Sequence, residues 1–305
     1  MLRRRILIAI AIGLFYGVAG YMYRSSQTGY NNIGDVYWAL YTIQELLQGR
    51  DPYGFTADQA GYFVPYPLPV ALVGLPLFWM PWDIASAIFV TLSFGALAFL
   101  VTAEGKWWRL LIFASLPMYV SSMYAQWSAL MLCAWFVPTA APTLALFKPH
   151  IALPLVVQRL TWRGIIIAGV IGLISIAIYP SWPFRWLGML GNFQQFIPLL
   201  TLPFGPLLIL AALAWRNERA RLILIMALLP MRSIYDLCAL WLVPQSAKQM
   251  LILTLCGWIP LFTITGSGPG TASVVPLVFL PALAIALYQS KPWEQWRKTP
   301  IAKQS

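Results

Sequence analysis

Residues 1–23 read MLRRRILIAIAIGLFYGVAGYMY. From Ile6 to Tyr23 no residue is charged, and three arginines stand directly before the run. A bilayer-crossing helix needs roughly 20 mainly apolar residues. Basic residues flanking such a helix mark its cytoplasmic side. The stretch therefore predicts a membrane anchor with the N-terminus inside. It stays apolar too long for a cleaved signal peptide and lacks a clear A-x-A site, so an uncleaved anchor is the reading.

The same grease continues along the chain. The 305 residues are 60% hydrophobic and 10% charged, with a mean hydropathy of +0.73. Soluble domains carry about 25% charged residues. Apolar runs recur at 6–23, 64–82, 84–102, 109–124, 127–147, 164–180, 198–215, 249–266 and 270–289, with shorter ones at 149–160, 219–231 and 233–247. The alternation of an outer-membrane barrel is absent. These runs predict an all-α membrane protein, a polytopic helical bundle of about 10–12 transmembrane segments. It reads as one domain over residues 1–290, with a first external loop at 24–63 and a cytoplasmic tail at 291–305.

The net charge of +11 does not point to nucleic acid, because the basic residues are scattered at the ends of apolar runs. Alternating inside and outside from the C-terminus places 13 of the 20 Lys and Arg residues in the cytoplasm: three at the N-terminus, then two, three, one, and four in the tail. Five fall outside, and Lys106 and Arg109 stay unassigned, because three runs between 64 and 126 give a parity that does not fit both them and Ala125-Gln126. Pro138 and Pro142 also allow a break. The three cysteines have no metal or disulfide spacing, and no cofactor motif is visible.

Chemistry-bearing residues fall in four places. Asp35 opens an amphipathic stretch at 35–48, with Val36, Leu40, Ile43 and Leu47 on one face and Asp35, Trp38, Thr42 and Glu45 on the other. The stretch is too short to span and is expected to lie on the membrane surface, stopped by Gly49 and Pro52. A carboxylate there gains from the helix dipole, and it suits either an N-cap or a general base toward a hydroxyl. Arg50 belongs to the RDPYGF segment that follows, and Tyr66 to a proline-rich entry at 62–77, whose aromatics also suit an interface anchor. Lys148 and His150 lie in LFKPH at 146–150, where proline interrupts an apolar run. Broken helices at membrane depth line cavities, and a lysine there can meet a phosphate or snorkel to the interface. Arg232 and Asp236 stand four apart in PMRSIYDLCALWLVP, as a local ion pair or a site.

In order and spacing, these segments resemble the GT-C superfamily of membrane glycosyltransferases across about residues 30–245, most of all glycosyltransferase family 87, the bacterial polyprenyl-phosphate-mannose-dependent α-mannosyltransferases. The matching pieces are GDVYWALYTIQELLQGRDPY, PYPLPVALVGLPLFWMP, LPMYVSSMYAQWSAL, KPHIALPL and Ile234-Tyr235-Asp236-Leu237. Ala125 stands where the family usually has Gly, Ser128 where it often has Asn, and His150 in place of Gln. The resemblance implies a membrane enzyme with its site on the external, periplasmic or luminal, face. Its partners would be a polyprenyl-phosphate sugar donor and a lipid or glycan acceptor. It implies Asp35 as the general base, Lys148, Arg232 and Arg50 near the donor phosphate, and Gln126, His150, Tyr235 and Asp236 on sugar hydroxyls. Tyr66 and Trp38 would line the groove. No cofactor is expected and no metal site is visible in the sequence, while the resemblance leaves a divalent cation open. Intramembrane charges and broken helices also suit a lipid-linked sugar flippase or transporter, and a polyprenyl-lipid-binding relative without activity fits the altered motifs.

Overall fold

The computed structural model describes residues 1–28, 32–54, 66–192, 196–231, 234–262 and 271–291. Among them the chain is helical, with one isolated antiparallel bridge between Phe196 and Met231.

The bundle is organised by α1 (Leu2–Ser25) and α4 (Trp82–Val101), the two helices long and apolar enough to cross a membrane. At 1.5 Å per residue they measure about 36 and 30 Å. They run antiparallel and close together because α1 is small-sided. A Cβ on Gly13 would come within 2.5 Å of the Thr91 carbonyl, and one on Gly17 would collide with the Thr91 side chain. Small residues four apart, on one face of the helix, allow this backbone approach, which gains dispersion contacts. Polar ties fix α1 against α4 and against the two segments that follow it, residues 107–114 and 116–123. Arg5 Nη2 donates to the Phe99 carbonyl at 2.8 Å near one end, and the Tyr16 hydroxyl donates to the Phe113 carbonyl midway. Arg24 Nη1 donates to the Ser122 carbonyl at 2.6 Å near the other end.

Between them, α2 (Tyr37–Leu47) is stopped at Gln48-Gly49 as expected. It is not a helix with one free polar face. Trp38, Thr42 and Glu45 are buried along with Ala39, Leu40 and Ile43. The Thr42 hydroxyl is absorbed by the Trp38 carbonyl at 2.7 Å, and α3 (Ala71–Gly74) lies against the Ala39 carbonyl. The run expected at 64–82 forms no through-going helix in its described part. Pro67, Pro69, Pro76 and Pro81 divide it into a single 3-10 turn (Leu68–Val70), α3 and bends, because each proline removes a donor and restricts the residue before it.

That correction resolves the parity. Helix α4 descends from the Asp35 end, and the chain returns through a 3-10 helix (Trp107–Ala114) and α5 (Leu116–Met123). Lys106 and Arg109 therefore sit at the N-terminal end of α1, where Arg4 lies 4.8 Å from the Trp107 ring centre. Ala125-Gln126 sits at the opposite end. Helices α6 (Ser128–Phe136), α7 (Ala141–Phe147) and α8 (Pro149–Arg159) then shuttle between the two ends, broken near Pro138 and at Lys148-Pro149. Helix α9 (Trp162–Ile178) bends 96° into α10 (Trp182–Met189). A 3-10 helix (Gly205–Ala214), α11 (Glu218–Leu228), a 3-10 helix (Ile234–Leu242), α12 (Ala247–Phe262), α13 (Thr271–Val274), a π-helical turn (Val275–Phe279) and α14 (Leu280–Ser290) complete the chain. Fully buried Trp127, Trp241, Phe94 and Phe279 mark the core. Helix α9 turns Ile166, Val170, Leu173 and Ile174 outward, and α1 does so with Phe15, Val18 and Met22. Apolar side chains directed outward on such helices suit a hydrocarbon surround.

Candidate functional site

Asp35 is positioned by two backbone turns set against each other. Gly34 has φ +74°, and a Cβ there would collide with the Tyr124 carbonyl. Ala125, fully buried, has φ +46°. An L-residue in this left-handed region costs about 1–2 kcal/mol, so the position favours glycine. The Asp35 amide donates to the Tyr124 carbonyl at 2.9 Å, and the Gln126 amide to the Ser121 carbonyl at 2.8 Å. Arg24, buried at the end of α1, clamps the same turn through the carbonyls of Ser122 and Met123, at 2.6 and 3.2 Å. Helix α2 begins at Tyr37 with Val36 at its N-cap, so Asp35 is outside the helix and is not its cap.

Two side chains from other segments meet this loop. The Tyr66 hydroxyl donates to Asp35 Oδ2. Tyr66 is itself held by the Tyr53 hydroxyl, which donates to its carbonyl at 3.0 Å, and by Trp127, with ring centres 5.6 Å apart. Lys148, in the break between α7 and α8, sends its ammonium to Gln126 Oε1 at 2.6 Å and to within 3.5 Å of Asp35 Oδ2. It lies 5.3 Å from the Tyr66 ring centre and 5.1 Å from that of Tyr235. Tyr235 is tied across the bundle by the Ser128 hydroxyl, which donates to its carbonyl at 3.0 Å. Further along the same two segments the cluster continues: His150 Nε2 and Asp236 Oδ1 are 3.2 Å apart, with Asp236 fully buried.

Of the residues singled out in the sequence, Asp35, Tyr66, Gln126, Lys148, His150, Tyr235 and Asp236 therefore converge at one end of the bundle. Arg50 is placed elsewhere. Its guanidinium grips Glu45 in a two-pronged pair, with Nε to Oε2 at 2.7 Å. Asp51 meets Arg185 at 3.2 Å. Trp38 stacks edge-on with Tyr37 and Tyr41. Arg232 lies outside the described residues. Lys148 is 4% exposed and Asp35 15%, so the carboxylate reaches the surface of the cluster while the lysine lies beneath it. An ammonium so placed orients Asp35 and Gln126.

Sequence reasoning missed the supports. Tyr53 stood in the quoted PYGF segment without a role. Nothing in the sequence marks Ser128 or Arg24 as a support, because only the fold brings their carbonyl partners to them. No protein-family model, curated protein or solved structure matches the chain.

Proposed function

We propose that the protein is a multi-pass membrane glycosyltransferase of the GT-C type. It would cross the membrane about 10–12 times, with the Asp35 end on the external face. It would move a sugar, mannose favoured, from a polyprenyl-phosphate donor to a lipid or glycan acceptor. The observation that carries the reading is the meeting of a reachable carboxylate with Gln126, Lys148, Tyr235, His150 and Asp236, drawn from segments spread between residues 35 and 236. Such convergence of titratable groups is what acid–base work requires.

In the proposed step the acceptor hydroxyl attacks the anomeric carbon and its proton passes to Asp35. The bond from that carbon to the phosphate oxygen breaks, and polyprenyl phosphate leaves as an anion, so the configuration inverts. A glycosidase needs a second carboxyl group as acid because its leaving group is an alkoxide. A phosphate leaves without one, so a single base suffices. Lys148 holds the base in place, and His150 with Asp236 presents polar atoms to the sugar. Arg232 is the remaining candidate for the donor phosphate.

The test is label transfer from radiolabelled polyprenyl-phosphate-mannose to lipid and glycan acceptor pools, with protein in nanodiscs. Wild type should transfer and Asp35→Ala should not. Movement of the labelled donor across the bilayer by both proteins, without transfer, would establish the transporter instead.

A further inference from the structure

Helix α9 ends at Ile178, and the 96° bend that follows brings this corner and α10 to the loop at 51–54. The corner carries two groups to that loop. Tyr179 lays its ring against the ring of Tyr53, with centres 6.3 Å apart and planes 26° from parallel. Arg185 Nη2 reaches Asp51 Oδ2 at 3.2 Å. Asp51 uses its other oxygen within the loop, where Oδ1 accepts from the Tyr53 amide at 2.8 Å. Both oxygens of one carboxylate are therefore engaged in fixing where Tyr53 stands.

From Tyr53 the contacts run inward. Its hydroxyl donates to the Tyr66 carbonyl at 3.0 Å, and the Tyr66 hydroxyl donates to Asp35 Oδ2. Exposure falls along this path. The Arg185 side chain is 55% exposed and that of Asp51 27%, while Tyr53 and Tyr66 are buried. An ion pair as open as the outer one contributes little to stability. What it can set is direction. Buried rings have no room to absorb a shift, since close-packed interiors transmit strain. A displacement of Tyr53 is passed to the Tyr66 backbone, and from there to the hydroxyl that holds the carboxylate. Misplacing a reacting group by about 1 Å can cost about a hundredfold in rate.

We propose that Arg185 is a positioning residue for Asp35, acting through Asp51, Tyr53 and Tyr66. Lys148 approaches the same carboxylate oxygen from the bundle interior, so Asp35 is held from within and from the rim. The role of Arg185 rests on Asp35 being the base of the proposed transfer, because it reaches the reaction only through that carboxylate.

Full-length protein in nanodiscs would carry 3-fluorotyrosine, with the Tyr66 fluorine signal assigned by its loss in Tyr66→Phe. Fluorine spectra and transfer from radiolabelled polyprenyl-phosphate-mannose would be measured on the same samples of wild type, Arg185→Leu, Arg185→Lys and Tyr53→Phe. Arg185→Leu and Tyr53→Phe should move the Tyr66 signal and slow transfer by about 10–100-fold, with KM for the donor little changed. Arg185→Lys should restore most of the rate. In an Asp35→Asn background, Arg185→Leu should slow transfer no further, because groups that act as one unit are not additive. A Tyr66 signal unmoved by Arg185→Leu, or a further loss in the Asp35→Asn background, would overturn the role of Arg185 alone. A wild type that transfers no sugar would overturn Asp35 as a base, and the role of Arg185 with it.

Discussion

At one end of the bundle Asp35 meets Lys148, and Asp236 meets His150. At the other, Lys106, Arg109, Arg159 and Arg219 divide two glutamates among them. The first arrangement consumes its charges internally, so what it gains is a fixed geometry around one reachable carboxylate. The second leaves positive charge over, so what it offers is attraction for an anion. Burial accounts for the difference. Asp236 is fully enclosed and Lys148 nearly so, whereas Glu104 is 57% exposed. Water can stand in for a missing partner only at the second end.

The largest expected break in this comparison comes from Lys148→Met. Removing one partner of a buried pair strands the other, which costs about 3–5 kcal/mol. Lys106→Met, at the exposed end, should stay within about 1 kcal/mol of wild type. Chemical unfolding of both variants in the same detergent checks the contrast, and equal losses would erase the distinction between the ends.

Gly34→Ala should come next. Its methyl group meets the Tyr124 carbonyl, so the turn that carries Asp35 must shift, at about 1–3 kcal/mol and with loss of transfer. The reverse change across the same contact should help. Ala125→Gly removes a left-handed strain of about 1–2 kcal/mol and adds about 0.5–1 kcal/mol of backbone entropy cost, leaving a gain of up to about 1.5 kcal/mol. A melting midpoint for each variant reads both signs.

How much of this was legible in the sequence follows from what kind of force places each residue. The helical class and the positions of most helices came from apolar runs, because burial in lipid or core acts on every residue of a run. The run at 64–82 misled because hydropathy says nothing of the prolines' missing donors. Asp35, Lys148, His150 and Asp236 were visible because ionisable groups in an apolar chain are costly and few. Their meeting was not readable from residue types, since it depends on the crossing of α5, α6 and α8. Gly13 and Gly17 are small residues four apart, yet spacing alone does not say which helix they face. Arg159 and Arg219 read as orientation charges, and Arg109 stays unassigned, because only the fold gathers them.

The smallest effect concerns pH. A hydrogen bond from Lys106, with the charge of Arg109, holds the Glu104 carboxyl below the usual range. A lowered folded-state value stabilises above the unfolded one, near about pH 4.3, and the benefit is lost as pH falls through the folded value. The melting midpoint of wild type should therefore exceed that of Glu104→Gln slightly at neutral pH, and the gap should close below about pH 4. A gap that widens on acidification would contradict the pairing.

The most direct test of the central claim separates binding from chemistry at Asp35. Wild type and Asp35→Asn in nanodiscs would be given labelled polyprenyl-phosphate-mannose with excess acceptor, and donor binding and single-turnover transfer measured on the same samples. The variant should bind donor within a few-fold of wild type while transfer falls by about 10²–10⁴-fold, the range for a lost general base. Transfer by Asp35→Asn at the wild-type rate would show that the proton goes elsewhere.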